Sequence, residues 1–185
     1  MIRVISGTAR GVRLSVPKGE RTRPTADRVK ETLFNILGDT VRGSTVLDLF
    51  AGTGALGIEA LSRGAAWAAF VEMDRSVLSV LRANLERVGF DGRAKVVNCR
   101  IPPSGRDPVA PFGPYDLVFL DPPYERSLLG ATLRWIDTCA YVQKGARIVA
   151  EHSIKEELPS NLQNLKPSRV KRFGETVVSF LTHHG

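Results

Sequence analysis

Asp121-Pro122-Pro123-Tyr124 follows directly on the run Tyr115-Asp116-Leu117-Val118-Phe119-Leu120. A β-rich run that stops at two prolines predicts a buried parallel strand. Such a strand delivers a rigid loop to its carboxyl edge, where open α/β sheets place their ligands. Prolines donate no N–H, so the loop offers carbonyl oxygens, the Asp121 carboxylate and the aromatic face of Tyr124. Acceptors beside a stacking platform suit a planar group that carries an exocyclic NH2. The alternative is a structural turn at a strand end, and the rest of the chain argues against it.

A second constellation lies upstream. Ser44-Thr45-Val46-Leu47-Asp48-Leu49-Phe50 reads as a strand, followed by Ala51-Gly52-Thr53-Gly54-Ala55-Leu56-Gly57 and an Ala/Leu-rich helix ending near Arg63-Gly64. A Gly-rich turn between strand and helix lets a ligand approach bare backbone at the helix N-terminus. Asp48 precedes the turn, and a carboxylate there suits a cationic or amine-bearing ligand better than a pyrophosphate. Ala68-Ala69-Phe70-Val71-Glu72 is a second strand ending in an acid, placed to take ribose hydroxyls at about the spacing known for nucleoside-binding βαβ units. The glycine spacing alone also allows NAD; Asp48 and the proline loop disfavour it.

These residues need a sheet to position them. A helix is predicted over Ser76–Val88, with Val77, Leu81, Leu85 and Val88 on one face and Gly89 as its stop. Ala94–Cys99 is a third strand, followed by an irregular Pro/Gly-rich connection over 100–108. Leu128, Leu129, Leu133 and Ile136 predict a covering helix, Gly145–Glu151 a fifth strand, and Val170–Gly174 with Thr176–Leu181 a closing antiparallel hairpin. Alternating strands and helices predict a mostly parallel, doubly wound α/β sheet.

The chain has 185 residues, is 43% hydrophobic and carries a net charge of +7. We read one domain: a basic extension over 1–20, a helix over 21–38 and a core over 44–185. Residues 1–30 hold eight basic residues against Glu20 and Asp27, an electrostatic footprint for a polyanion, usually nucleic acid. Arg3–Gly7 and Val12–Val16 predict a β-hairpin that could lie against a phosphate backbone rather than against the core, with Arg10 at its tip and Arg3 and Arg13 along it. Arg21-Thr22-Arg23-Pro24-Thr25 feeds the helix, with Thr25 as N-cap and Val29, Leu33, Phe34 and Leu37 as its apolar stripe; Arg28, Thr32 and Asn35 fall on another face. Lys166, Arg169, Lys171 and Arg172 form a smaller basic cluster. Cys99 and Cys139 have no metal-ligand spacing, no apolar run is long enough for a membrane helix, and no signal peptide is recognisable. We expect reduced thiols, no metal, no membrane association and a cytoplasmic monomer.

Asp48-Leu49-Phe50-Ala51-Gly52-Thr53-Gly54, Glu72 and Asp121-Pro122-Pro123-Tyr124 resemble the ordered motifs of class I S-adenosylmethionine-dependent methyltransferases that act on exocyclic amines of bases. Arg23-Pro24-Thr25-Ala26-Asp27-Arg28-Val29-Lys30-Glu31-Thr32-Leu33-Phe34-Asn35 resembles the RsmD family, which methylates a guanine N2 in 16S ribosomal RNA. The resemblance covers almost the whole chain. It implies a seven-stranded Rossmann-like sheet with an antiparallel last strand. It also implies S-adenosyl-L-methionine as cofactor, and ribosomal RNA within a small-subunit particle as substrate. It assigns the methionine end of the cofactor to Asp48, Phe50, Ala51, Gly52, Thr53 and Gly54, its ribose to Glu72 and its adenine to Met73, Asn98 and Cys99. Asp121, Pro122, Pro123 and Tyr124 would hold the guanine, and Arg3, Arg10, Arg13, Arg23 and Arg28 the RNA. The third strand departs from the wider class, reading Asn98-Cys99-Arg100 where many relatives carry an acid. Alternatives are methylation of adenine N6 in DNA, an NAD-dependent oxidoreductase and a non-catalytic assembly factor.

Overall fold

The computed structural model describes residues 2–17, 25–123 and 128–185. Tyr124, Arg23 and the segment leading into the first helix lie outside the described residues, as does the side chain of Thr25.

Seven strands form one sheet in the order β5-β4-β3-β6-β7-β9-β8. They are β3 (Thr45–Asp48), β4 (Trp67–Glu72), β5 (Ala94–Asn98), β6 (Tyr115–Leu120), β7 (Val142–Ser153), β8 (Leu165–Phe173) and β9 (Thr176–His183). The first five run parallel, and β9 is inserted antiparallel between β7 and β8. The expected closing hairpin therefore forms, but only its second strand opposes the others. α1 (Thr25–Leu37), α2 (Ala55–Ser62), α3 (Arg75–Val88) and α4 (Leu128–Ile136) cover the sheet. Val29, Leu33, Phe34 and Leu37 of α1 are buried with α2 and α3 residues on one face; Leu129, Leu133 and Ile136 of α4 pack on the other.

The amino-terminal extension corrects one expectation. β1 (Ile2–Arg3) and β2 (Arg13–Leu14) pair antiparallel, but this hairpin lies against the core. Val4, Ala9 and Leu14 are buried, and burying them outweighs holding the whole segment free for a phosphate backbone. Gly7 allows the approach: its φ is 84°, and a Cβ there would come within 1.8 Å of the Ser62 carbonyl oxygen. Arg3, Arg10 and Arg13 remain exposed on the outside, as does Arg28 on α1.

A buried charge fastens this extension. Glu59 of α2 has a wholly buried side chain and accepts the backbone N–H groups of Ile5 (2.7 Å) and Ser6 (3.0 Å). It also pairs with Lys30 of α1 at 3.3 Å and Arg63 at 2.8 Å. Burial pulls the Lys30 ammonium below its ordinary value while Glu59 pulls it back up. Lys30 spends a further proton on the Arg3 carbonyl at 2.6 Å. Removing one partner of such a pair leaves an uncompensated buried charge. Glu59→Gln should lower stability by about 3 kcal/mol, about 6–12 °C in Tm for a chain of this size, read by thermal denaturation.

Candidate active site

The site is assembled by parallel register. Asp48 pairs level with Phe119 on one side and Phe70 on the other, so β3, β4 and β6 end side by side. Leu120 pairs with Ala150, which makes the next residues, Asp121 and Glu151, lateral neighbours about 4.8 Å apart in strand spacing. A cavity of about 900 Å³ opens over these ends. Its walls include Phe50, Gly52, Glu72, Met73 and Cys99 from one half and Asp121, Pro122 and Pro123 from the other.

The remaining residues read as cofactor contacts stand behind that wall. Gly54 begins α2 with φ 87° and has no side chain to cap it. Asp48, buried in β3, reaches across and accepts the Gly57 N–H at 3.0 Å, satisfying a donor that the first helical turn leaves open. Gly57 itself sits against Phe70, whose ring lies 2.3 Å from where a Cβ would stand, so only glycine lets α2 press this closely on β4. Ala51 donates to the Val71 carbonyl at 2.9 Å and accepts from Gly54 at 2.7 Å. The Thr53 carbonyl accepts from the buried Asn84 amide at 2.9 Å.

Glu72 ties the glycine turn to the next strand. Its carboxylate accepts the Gly52 N–H at 3.1 Å and the Asp74 N–H at 2.8 Å, and still lines the cavity. Asn98 does not line it: its amide donates to the Glu72 and Met73 carbonyls, both at 2.9 Å, which shapes the turn that presents Met73. Met73 is 61% exposed, an apolar surface offered at the cavity mouth. Cys99 follows, its thiol donating to the Arg100 carbonyl at 3.0 Å and held above its usual range by burial and then by Asp107.

The electrostatics of the acids are unusual. Loss of solvent pushes Asp48 up to about 7, against the Gly57 hydrogen bond and with help from Glu72. Asp121 stands open to the cavity, yet its carboxyl is held well above the usual range by desolvation, then by the like charges of Glu151 and Asp48. Acids crowded in this way are relieved by a cation.

Sequence reasoning missed Glu151, Arg100 and Asp74, which also face the cavity. For Glu151 a signal existed: it ends a β-run with an acid, as Glu72 does. Asn84 was hidden because a helix-spacing count passes over one polar residue on an apolar face.

This sheet order, with a Gly-rich turn after β3 and an acid ending β4, defines a class I methyltransferase fold. The structure of yhhF from Escherichia coli superposes with a TM-score of 0.83 at 39% identity, covering 99% of this chain and 98% of that one. Residues 2–182 match the family described as Conserved hypothetical protein 95. Ribosomal RNA small subunit methyltransferase D of Escherichia coli (strain K12) is 41% identical over 175 residues, 94% of this chain and 86% of its own. YlbH of Bacillus subtilis (strain 168) is 37% identical over 184 residues, 100% of both chains. The chain belongs to this family, the RsmD family.

The raised Asp48 has a measurable consequence. A carboxyl whose folded pKa exceeds its unfolded value keeps its proton in the folded state, so its contribution to stability falls as pH rises between about 4 and 7. Asp48→Asn keeps an acceptor for Gly57 and removes the charge. Thermal denaturation should show the variant gaining on the wild type from pH 5 to pH 8, by on the order of 2–4 kcal/mol. A Tm difference that stays flat with pH would place the Asp48 charge in solvent.

Proposed function

We propose that this protein transfers a methyl group from S-adenosyl-L-methionine to the exocyclic N2 amine of a guanine in small-subunit (16S) ribosomal RNA. The observation that carries the reading is one cavity joining the Gly52–Glu72 half to the Asp121-Pro122-Pro123 loop. The name of the Escherichia coli relative supplies the substrate class. Both halves of the site come from one chain, so a monomer suffices.

The residues present fit the cofactor, which when bound supplies a methyl group on a positively charged sulfur. A Cβ at Gly52 would meet nothing within 4 Å, so the backbone faces the cavity bare. Each Glu72 oxygen has lone-pair capacity beyond its one backbone hydrogen bond, which suits ribose hydroxyls. Met73 and Cys99 flank the adenine end, Phe50 lines the wall, and Asp48, Ala51, Thr53, Gly54 and Asn98 hold those groups in place. Asp48, Asp121 and Glu151 provide the negative field that favours a sulfonium.

Guanine N2 is a poor nucleophile because its lone pair is delocalised into the ring. Asp121 and the Pro122 carbonyl accept its hydrogens, which favours a tetrahedral nitrogen and frees the lone pair. Glu151, one strand away, accepts the N1–H that guanine has and adenine lacks. Asp121, with its raised affinity for protons, takes the proton released when the N–C bond forms as the methyl–sulfur bond breaks and its electron pair returns to sulfur. No bond to the enzyme is made.

Methyl transfer from labelled cofactor to 16S ribosomal RNA lacking the modification, offered free and in small-subunit particles, should give N2-methylguanosine, with the particle preferred; N6-methyladenosine or no product overturns the reading. Asp121→Ala should lower the transfer rate by on the order of 10²–10³, with cofactor affinity nearly intact. Because a cation favours the ionised acids, cofactor binding should release protons near pH 7 and tighten as pH rises through it. Calorimetry should show no such trend for S-adenosylhomocysteine, whose sulfur is neutral.

A further inference from the structure

The basic cluster on β8 is not absorbed by the site. β8 is an edge strand whose residues 166–172 are all exposed, and over Leu165–Phe173 it carries Lys166, Arg169, Lys171 and Arg172 with no acid. Register places three of these on one face of the sheet. Lys166 pairs with Thr182 and through it with Arg147; Arg169 pairs with Phe180 and so with Val149; Lys171 pairs with Val178 and so with Glu151. Val149, Val178 and Phe180 pack into the core beneath α1, so this basic row lies on the α1 side. Its last rung ends two strands, about 10 Å, from the acid at the cavity.

A second cavity, of about 290 Å³, sits on the same face. Thr40, Arg147, Ser168 and Arg169 surround it over a floor of Leu37 and Phe180. The Arg147 guanidinium is fixed by a 2.9 Å hydrogen bond to the Thr182 hydroxyl. Among the described residues, no carboxylate lies within ion-pair distance of Lys166, Arg169, Lys171 or Arg147.

Edge protection is the plain explanation for lysines on an outer strand. It accounts poorly for this arrangement. Pro167 and the register shift between Pro167 and Arg169 already blunt the edge. Arg147 stands two strands in, where no edge needs guarding, and it faces the same way as the β8 row.

We infer that the β8 row and the Arg147–Arg169 cavity form a second docking surface for the ribosomal RNA backbone, which seats the strand flanking the base presented to Asp121. The inference rests on the RNA reading above. One-sign charge favours a polyanion, and the exposed Arg3, Arg13 and Arg28 belong to an extension and helix that pack on the same side of the sheet. Phosphate contacts of this kind position the substrate without reading its sequence.

The test is a double variant, Arg169→Gln with Lys171→Gln, at two exposed positions outside the catalytic machinery. Its control removes the same charge elsewhere, Lys95→Gln with Arg106→Gln. Binding of in vitro transcribed 16S ribosomal RNA, free and assembled into small-subunit particles, is measured against salt, and methyl transfer against RNA concentration. We expect the β8 variant to bind about tenfold more weakly near physiological salt. Its slope of log affinity against log salt should be shallower by about 1.4–1.8 for two lost contacts. KM for RNA should rise while kcat holds, and the control should match the wild type. Equal losses in both variants, or in neither, overturn the docking surface while leaving the reaction standing. A wild type that neither binds nor methylates this RNA, free or in small-subunit particles, overturns the reaction, and the docking surface with it.

Discussion

Three carboxylates are forced together where the parallel strands end. Register alone does this: Phe119 aligns with Asp48, and Ala150 aligns with Leu120, so Asp48, Asp121 and Glu151 converge on one edge. Hydrophobic runs on both sheet faces hold those strands in register, since slipping by one residue would send every side chain to the opposite packed face, where it does not fit its neighbours. The fold therefore brings these three positions together. The cluster carries a cost, visible in how far Asp48 and Asp121 are pushed from their ordinary values. Nothing in the packing of the strands requires acids there, so the cost points to the ligand rather than to the fold.

A second constraint joins the amino-terminal extension to that edge. Asn84 of α3 accepts the Ser15 N–H at 2.8 Å and donates to the Ser15 carbonyl at 3.0 Å while also holding the Thr53 carbonyl of the glycine turn. Glu59 does the same from the other end of the extension, fixing Ile5 and Ser6. The extension that carries Arg3, Arg10 and Arg13 is thus tied to the turn that forms the cavity wall. The exposed arginines and the cavity wall are held in one frame.

The parts of the chain that were legible beforehand share one property: their signal is local. β6 and its proline loop, the glycine turn with Asp48, and the acid ending β4 each declare themselves within a few residues. So does the end of α3, where Gly89 with φ 69° closes the helix. What was not legible depends on distant partners. Lys30 and Glu59 look like ordinary helix-surface charges until they meet in the core at 3.3 Å. The hairpin looked free because its few apolar residues, Val4, Ala9 and Leu14, do not form a run, yet each finds a buried place. Strand lengths were understated for the same reason. β8 continues back to Leu165 because Asp137, at the end of α4, accepts the backbone N–H groups of Gln163, Asn164 and Leu165, which no count of β-formers anticipates.

Asn98 shows how a residue can be rightly noticed and differently employed. Its position after the third strand suggested a partner for a base, because an acid stands there in many methyltransferases. In the fold its amide is spent on the Glu72 and Met73 carbonyls. An amide has two hydrogens to donate and uses both here, whereas a carboxylate has none and would repel those carbonyls. Asparagine therefore stabilises the turn that an acid would loosen. That end of the cavity is then lined by what the turn presents, the exposed Met73 and the neighbouring Cys99. The turn thus offers an apolar surface where an acid would offer a polar one, and the loss of that acid leaves the negative field concentrated at the other end, around Asp121 and Glu151.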